Sequence, residues 1–340
     1  LLLLLFISFV FILKTLFLDF YPDLTGYYYG SRVALSGGNP YLGSKDLFTP
    51  FVYPPFVVLF FSPFILLPFF IAEKLWTLIS IFSLLISLHF LFKNFNQKLF
   101  STTSLLLSAL VFLSFPVKFT LGMGQINLVV LLFVTLAIFY TNKKKEDIVG
   151  YFLGLSIAVK LFPVLLLVYF LLQEKWRIVF FCSAVIILSI ILPFIFMKPE
   201  VNLNFIQLTL PGILSGWKTD YYNQSLSGLL GRMGLFNYRE IMRIFISVAL
   251  VGVSFLAVFK ASNKSLSNLK IGILITLSLI INNFSWQHHF VWLIFPFFAT
   301  FFFIRDKRPE TKYFAILFLA YLLVEFNLKY PQEVPVFFQY

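Results

Sequence analysis

Few side chains in this sequence are equipped for chemistry, and most of them border long apolar runs. Asp19, Asp23 and Arg32 follow the first run, and Gln125 and Asn127 share the turn Gly-Met-Gly-Gln-Ile-Asn. Lys160 interrupts an apolar segment, Asn223, Gln224 and Ser225 are consecutive, and Trp286, His288 and His289 close another run. An ionisable group at membrane depth costs about 2.5–3.5 kcal/mol on insertion scales, so such residues are functional hypotheses from the outset. A carboxylate among them can accept a proton from a hydroxyl, while an amine or imidazole can face an anion. His288 and His289 are adjacent and diverge on a helix, so that pair is not expected to chelate a metal. Asp19 and Asp23 are the only outer acidic pair close in sequence, at i, i+4 spacing. No metal and no cofactor is therefore expected. Phosphate-binding loops, dinucleotide fingerprints, zinc-protease motifs and nucleophile elbows are missing from the sequence.

The surroundings of these residues define the class. Of 340 residues, 60% are hydrophobic, 20% aromatic and only 12% charged, with Phe at 48 positions; mean hydropathy is +0.93. Those proportions exclude a soluble globule and a disordered chain. Cys182 is single and lies in an apolar run, so it has no partner for an internal disulfide. The net charge of +12 would suggest nucleic acid until it is located. Five short loops, 93–98, 142–147, 173–177, 260–270 and 305–312, hold 14 of the 26 basic residues. That is the signature of membrane topology, and no nucleic-acid partner is expected. The sequence reads as an all-α polytopic membrane protein, one transmembrane domain over 1–340.

Runs at 1–18, 75–92, 103–116, 125–141, 176–197, 241–259, 271–284, 290–304 and 313–328 are candidate spans. The first has no small-residue cleavage site before Asp19 and reads as a retained helix. Short basic loops stay in the cytoplasm, which places 19–74, 117–124, 198–239 and the 282–289 turn on the opposite side. Parity then makes the Pro-punctuated stretch 53–68 a re-entrant or interfacial hairpin. Likewise 148–172 becomes two half-helices meeting near Lys160 and Pro163, as broken helices lining a cavity do. With that topology the unusual polar residues gather in one outward-facing chamber. Cytoplasmic loops of 5 to 11 residues are too small for a nucleotide-binding domain. A substrate drawn from the bilayer fits better: a lipid-phosphate-linked group, its anionic head against Lys160, Arg32 or a histidine.

The same residues carry a resemblance. Asp23-Leu-Thr-Gly-Tyr-Tyr-Tyr-Gly with Arg32 and Ala34-Leu-Ser-Gly-Gly-Asn-Pro-Tyr41 is followed by Phe51-Val-Tyr-Pro-Pro55, Pro63, Leu67-Pro68 and Trp76. Then come Pro116, Gly124-Gln-Ile-Asn127, Lys160-Leu-Phe-Pro163, Trp176-Arg177, Asn223-Gln-Ser-Leu-Ser-Gly-Leu-Leu230 and Ser285-Trp-Gln-His-His289. In this order the set resembles glycosyltransferase family 87 of the GT-C superfamily. The resemblance implies a bundle of about 11 transmembrane helices with re-entrant and half-helices, the first outer loop carrying the active site. It implies a plasma-membrane, multi-pass enzyme that transfers a hexose, mannose first, from a polyprenyl-phosphate-sugar donor at the extracytoplasmic face. The acceptor is a hydroxyl of a glycolipid or glycan, and the transfer is inverting. The family's acidic residue maps to Asp23 as general base. Lys160, His288, His289 and Arg32 are the donor-phosphate candidates, and Tyr53, Gln125, Asn127, Asn223, Gln224 and Trp286 the substrate-binding ones.

Each residue also has a plainer role open to it. Asp23 can cap a helix over 24–35, and one residue can serve both purposes. Tyr53-Pro54-Pro55 can simply shape the hairpin, and Gln125 and Asn127 can satisfy backbone freed at a helix break. Lys160 needs a partner, for which Asp19 or Asp23 would serve. The histidines can sit at the aqueous end of a helix, and Asn223-Gln-Ser is also a glycosylation sequon. A different class, a secondary transporter or lipid flippase gated by the half-helix pair, would carry matched broken helices in both halves, and only one pair is evident.

Overall fold

The computed structural model describes residues 1–17, 21–42, 51–215, 223–234, 239–261, 263, 266–307 and 310–325, so Asp19 lies outside the described residues. These are helical with connecting turns, and no strand occurs among them. Four helices, Phe69–Asn94, Trp176–Phe196, Glu240–Lys260 and Gln287–Lys307, are long and apolar enough to cross a membrane. Thr102–Leu113 and Phe115–Met123 would form a fifth span if the 52° bend between them lies within one crossing. Leu2–Leu16, Asn127–Asn142 and Ser267–Ile281 are apolar but shorter.

Local chemistry explains the boundaries. Ser101 accepts the Ser104 N–H (3.2 Å) and caps Thr102–Leu113. Ser114 is extended and Pro116 sits in the first turn beyond it, so the helix breaks there instead of continuing. Pro68 precedes Phe69–Asn94, which begins earlier than the apolar run because it includes Glu73 and Lys74. The Glu73 carboxylate is buried and its Oε1 pairs with Lys74 at 3.0 Å. Stretch 53–68 forms the short helix Phe56–Phe61 and the turn Phe64–Leu66, separated by Pro63. Over 148–172 the helix Glu146–Val159 ends at an extended Lys160, and Val164–Leu172 restarts after Pro163. Both Pro-broken segments thus have the helical interruptions read from sequence.

The chain divides into two compact units, Leu1–Leu214 and Ser215–Tyr340. In the first, Phe69–Asn94 packs on Asn127–Asn142, which packs on Glu146–Val159, which packs on Trp176–Phe196. The last contact depends on two glycines four residues apart. A Cβ on Gly150 would fall 2.5 Å from the Ile178 carbonyl oxygen and 2.7 Å from Phe181 Cβ. A Cβ on Gly154 would fall 2.7 Å from Val185 Cβ and 2.9 Å from the Cys182 carbonyl oxygen. This is the small-x-x-x-small approach of membrane helices, where packing rather than water expulsion drives association. Outward, Trp176–Phe196 presents Phe180, Ile187, Ile191 and Ile195, a face suited to lipid. In the second unit Ser267–Ile281 packs on Arg239–Lys260 and Ile294–Lys307, and Ile294–Lys307 on Thr311–Glu325.

Gly154→Val is expected to force the two backbones apart and lower stability by about 1–3 kcal/mol, measured as thermal unfolding in detergent. Gly122→Ala, with open space around its Cβ position, is the matched control and is expected to leave the unfolding temperature nearly unchanged.

Candidate active site

The first unit assembles its polar cluster around the helix Pro22–Leu35. Tyr21 is extended ahead of it, and the helix has no side-chain cap, so Asp23 sits in the first turn without closing it. Asp23 Oδ2 instead accepts a hydrogen bond from Gln125 Nε2 at 2.6 Å. One turn along the same helix, the Tyr27 hydroxyl donates to Gln125 Oε1 at 3.0 Å. Gln125 Nε2 also reaches the Tyr53 hydroxyl at 3.3 Å, and the Tyr27 and Tyr53 rings pack 4.6 Å apart.

Gly124 places that amide. It ends Phe115–Met123 with φ +71°, the left-handed conformation that glycine adopts at least cost. A Cβ there would lie 2.7 Å from Leu24 Cβ and 3.0 Å from Tyr21 Cβ. The Trp76 indole N–H donates to the Gly124 carbonyl at 2.8 Å, and Trp76 is fully buried against Phe61. Beyond the turn, Asn127 opens the next helix, and its Oδ1 accepts from Lys160 Nζ at 2.8 Å. Lys160 Nζ lies 6.0 Å from the centre of the Tyr53 ring. Asp23, Tyr53, Gln125, Asn127 and Lys160, expected from sequence to belong together, form one cluster.

Burial pushes the Asp23 carboxyl up to about 6, partly opposed by the Gln125 hydrogen bond and the positive charge of Lys160. A half-buried carboxylate with one oxygen anchored and a proton affinity near neutrality is equipped to accept a proton from a hydroxyl. Arg32 stands apart. Nine positions after Asp23, it is turned about 180° round the helix and ~13 Å along it, and it is exposed. Tyr27 was not singled out from sequence as a site residue, although its i, i+4 relation to Asp23 was the available signal.

In the second unit the residues expected to bind substrate build a loop junction. Asn223 is fully buried. Its Nδ2 donates to the Asn283 carbonyl at 2.9 Å, and its Oδ1 accepts the N–H groups of Ser225 and Ser285 at 3.1 and 3.0 Å. Arg232 donates to the Asn223 carbonyl at 2.6 Å. The Gln224 N–H donates to the Ser285 carbonyl at 2.8 Å, and its side chain is exposed. Ser225 caps Leu226–Arg232. This junction leads into the turn Gln287–Leu293, where His288 and His289 are both buried. The His289 ring stacks on Trp292 at 5.1 Å and meets His288 edge-on at 4.5 Å. Its Nδ1 accepts the Trp286 N–H at 3.2 Å, a bond that assigns the proton of a neutral ring to Nε2. The glycosylation-sequon reading of Asn223 meets a side-chain amide already engaged inside the protein.

Comparison with known proteins adds a family. Residues 51–282 match Glycosyltransferase family 87. A Mycolicibacterium smegmatis protein (strain ATCC 700084 / mc(2)155) is 27% identical over 260 residues, 74% of this chain and 61% of the relative. It is described as a polyprenol-phosphate-mannose-dependent alpha-(1-2)-phosphatidylinositol pentamannoside mannosyltransferase. A Mycobacterium tuberculosis protein (strain CDC 1551 / Oshkosh) of the same description is 24% identical over 284 residues, 82% of this chain and 62% of the relative. A second M. smegmatis protein, a polyprenol-phosphate-mannose-dependent alpha-(1-2)-phosphatidylinositol mannoside mannosyltransferase, is 23% identical over 303 residues, 80% of this chain and 68% of the relative. The chain thus spans about three fifths of the length of the first two. No solved structure gives a significant match.

Because Asn223 joins two loops through its side chain, Asn223→Ala is expected to destabilise this junction by about 2–4 kcal/mol, the cost of several buried hydrogen bonds. Hydrogen exchange is the measurement: the Ser225 and Ser285 amides should lose protection while the helix Asn127–Asn142 keeps it.

Proposed function

This chain belongs to glycosyltransferase family 87, and from that premise we propose that it is a membrane glycosyltransferase. It transfers a hexose, mannose first, from a polyprenyl-phosphate-sugar donor to a hydroxyl of a glycolipid or glycan acceptor. The relatives' descriptions favour polyprenol-phosphate-mannose as donor and a phosphatidylinositol mannoside as acceptor. The family match runs across the boundary between the two units, which supports taking both as parts of one domain; in our reading that domain is 1–340, with about 11 transmembrane helices. The clustering of basic residues in short loops supports a plasma-membrane protein whose first outer loop carries the active site on the extracytoplasmic face.

The single observation that carries the reading is the Asp23 carboxylate, anchored by Gln125 and close to neutrality in its proton affinity. In the proposed reaction the acceptor oxygen attacks the anomeric carbon from the face opposite the phosphate, inverting it. Asp23 takes the acceptor proton, and the bond from the anomeric carbon to the phosphate oxygen breaks, releasing polyprenyl phosphate. Phosphate leaves without a second carboxylate to protonate it, unlike the leaving group of a glycoside hydrolase. Its charge needs cationic or donor groups. Lys160 takes that role in our reading, with His288 and His289 as further candidates; Arg32, turned away from Asp23 on its helix, is not among them. Tyr53, Asn127, Gln224 and Trp286 are the substrate contacts.

Purified protein given polyprenyl-phosphate-mannose and a phosphatidylinositol mannoside should form the extended glycolipid; translocation of substrate without transfer would instead support a transporter. Asp23→Asn should lower kcat by about 10²- to 10⁴-fold. The pH-rate profile should fall below a midpoint of about 6, because the base works only when ionised. The linkage with stability has the opposite sense. Since the folded carboxyl holds its proton more tightly than the ordinary value of 3.8, stability declines as pH rises from that value to about 6. Asp23→Asn should therefore unfold at an equal or higher temperature at pH 7, which separates lost catalysis from lost folding.

A further inference from the structure

We propose that Gln125 is a positioning residue for Asp23, with the Tyr27 hydroxyl holding the far end of its amide. The inference rests on the reading of Asp23 as the base and reassigns Gln125 from substrate contact to internal support.

An amide offers two N–H donors and a carbonyl oxygen with two lone pairs, and here both donors and one lone pair are engaged inside the protein. Oε1 accepts from the Tyr27 hydroxyl at 3.0 Å. Nε2 donates to Asp23 Oδ2 at 2.6 Å and reaches the Tyr53 hydroxyl at 3.3 Å. Gln125 is only 3% exposed and both its N–H groups are used, so a sugar oxygen seeking a donor would have to displace one of these bonds. The opposite amide orientation would set Oε1 against an ionised Asp23 oxygen, acceptor against acceptor. The carboxylate therefore sets the amide orientation, and the Tyr27 hydroxyl, donating to Oε1, braces it. Asp23 Oδ1 has no hydrogen-bond partner among the described residues, so anchoring Oδ2 leaves one oxygen for the acceptor hydroxyl. The groups facing Asp23 are Tyr27 on its own helix, Tyr53, Gln125 and Lys160. Of these, only the Gln125 amide is a neutral N–H donor.

Donation to a carboxylate favours its ionised form, so removing the donor should make the proton harder to lose. Infrared difference titration of the full chain, using Asp23→Asn to identify the Asp23 carboxyl band, reads this without turnover. The midpoint should rise from about 6 in the unaltered protein by about one to two units in Gln125→Met. A smaller rise in the same direction is expected in Tyr27→Phe. Transfer at pH 6 should fall about 5- to 50-fold in kcat for Gln125→Met, follow the smaller population of ionised base, and recover as pH is raised. KM for the donor should stay near its original value. An unmoved midpoint, or a raised KM with unchanged kcat, would overturn the proposal and return Gln125 to the substrate. If Gln125→Met does not fold, Tyr27→Phe removes a single hydroxyl and decides by the same titration. Should Asp23→Asn still transfer sugar, the base reading fails alone, and the titration still reports whether Gln125 anchors that carboxylate.

Discussion

A carboxylate placed where water is scarce is the constraint around which the first unit is organised. Ionised Asp23 is disfavoured by burial and made tolerable by one strong hydrogen bond from Gln125 and by the charge of Lys160. A bond of this kind, from an amide to a charged acceptor, is stronger than a neutral one and strict about direction. Its donor has to be delivered to within a few tenths of an ångström. The glycine turn, the indole beneath it and the tyrosine pair above it together meet that requirement.

Each of those supports is itself fixed by packing. Gly124 takes a left-handed conformation and comes so close to Leu24 and Tyr21 that a side chain has no room. Trp76 holds the Gly124 carbonyl from a fully buried position, edge-on to Phe60 and Phe64 and tilted against Phe61. The Pro-broken stretch 53–68 brings those aromatic rings, together with Tyr53, to the helix that carries Asp23. The breaks at Gly124 and Lys160 likewise put polar side chains where continuous apolar helices would have left none. Interrupted helices are costly in lipid unless protein satisfies the freed groups, and here the interruptions coincide with the polar cluster.

The second unit shows the same economy with a different outcome. Asn223 is a substrate-binding candidate by residue type, and in the fold Ser225 and Ser285 are its neighbours. Their polar atoms instead tie the 223–225 loop to 283–285, ahead of the stacked His289 and Trp292. A motif can be kept for architecture as readily as for contact with a ligand, and the two are told apart by what each polar atom touches.

Composition and the order of motifs were enough to establish a helical membrane protein of glycosyltransferase family 87, and to single out Asp23, Gln125, Asn127 and Lys160. Hydropathy works at that level because the bilayer demands internally satisfied helices, and chemistry-bearing residues in apolar runs stand out against it. Helix ends were legible where Ser and Pro mark them, as at Ser101, Ser114 and Pro163, but not at Phe69, because the charges of Glu73 and Lys74 inside that helix hide its first turns from a hydropathy reading. Helix phase alone turns Arg32 away from Asp23, but only tertiary structure could bring Tyr53 and Tyr27 onto the Gln125 amide. Those facts depend on helix phase and on contacts across 72 and 98 positions of chain. Sequence names such partners by type, but direction and distance arise only when the backbone closes around them.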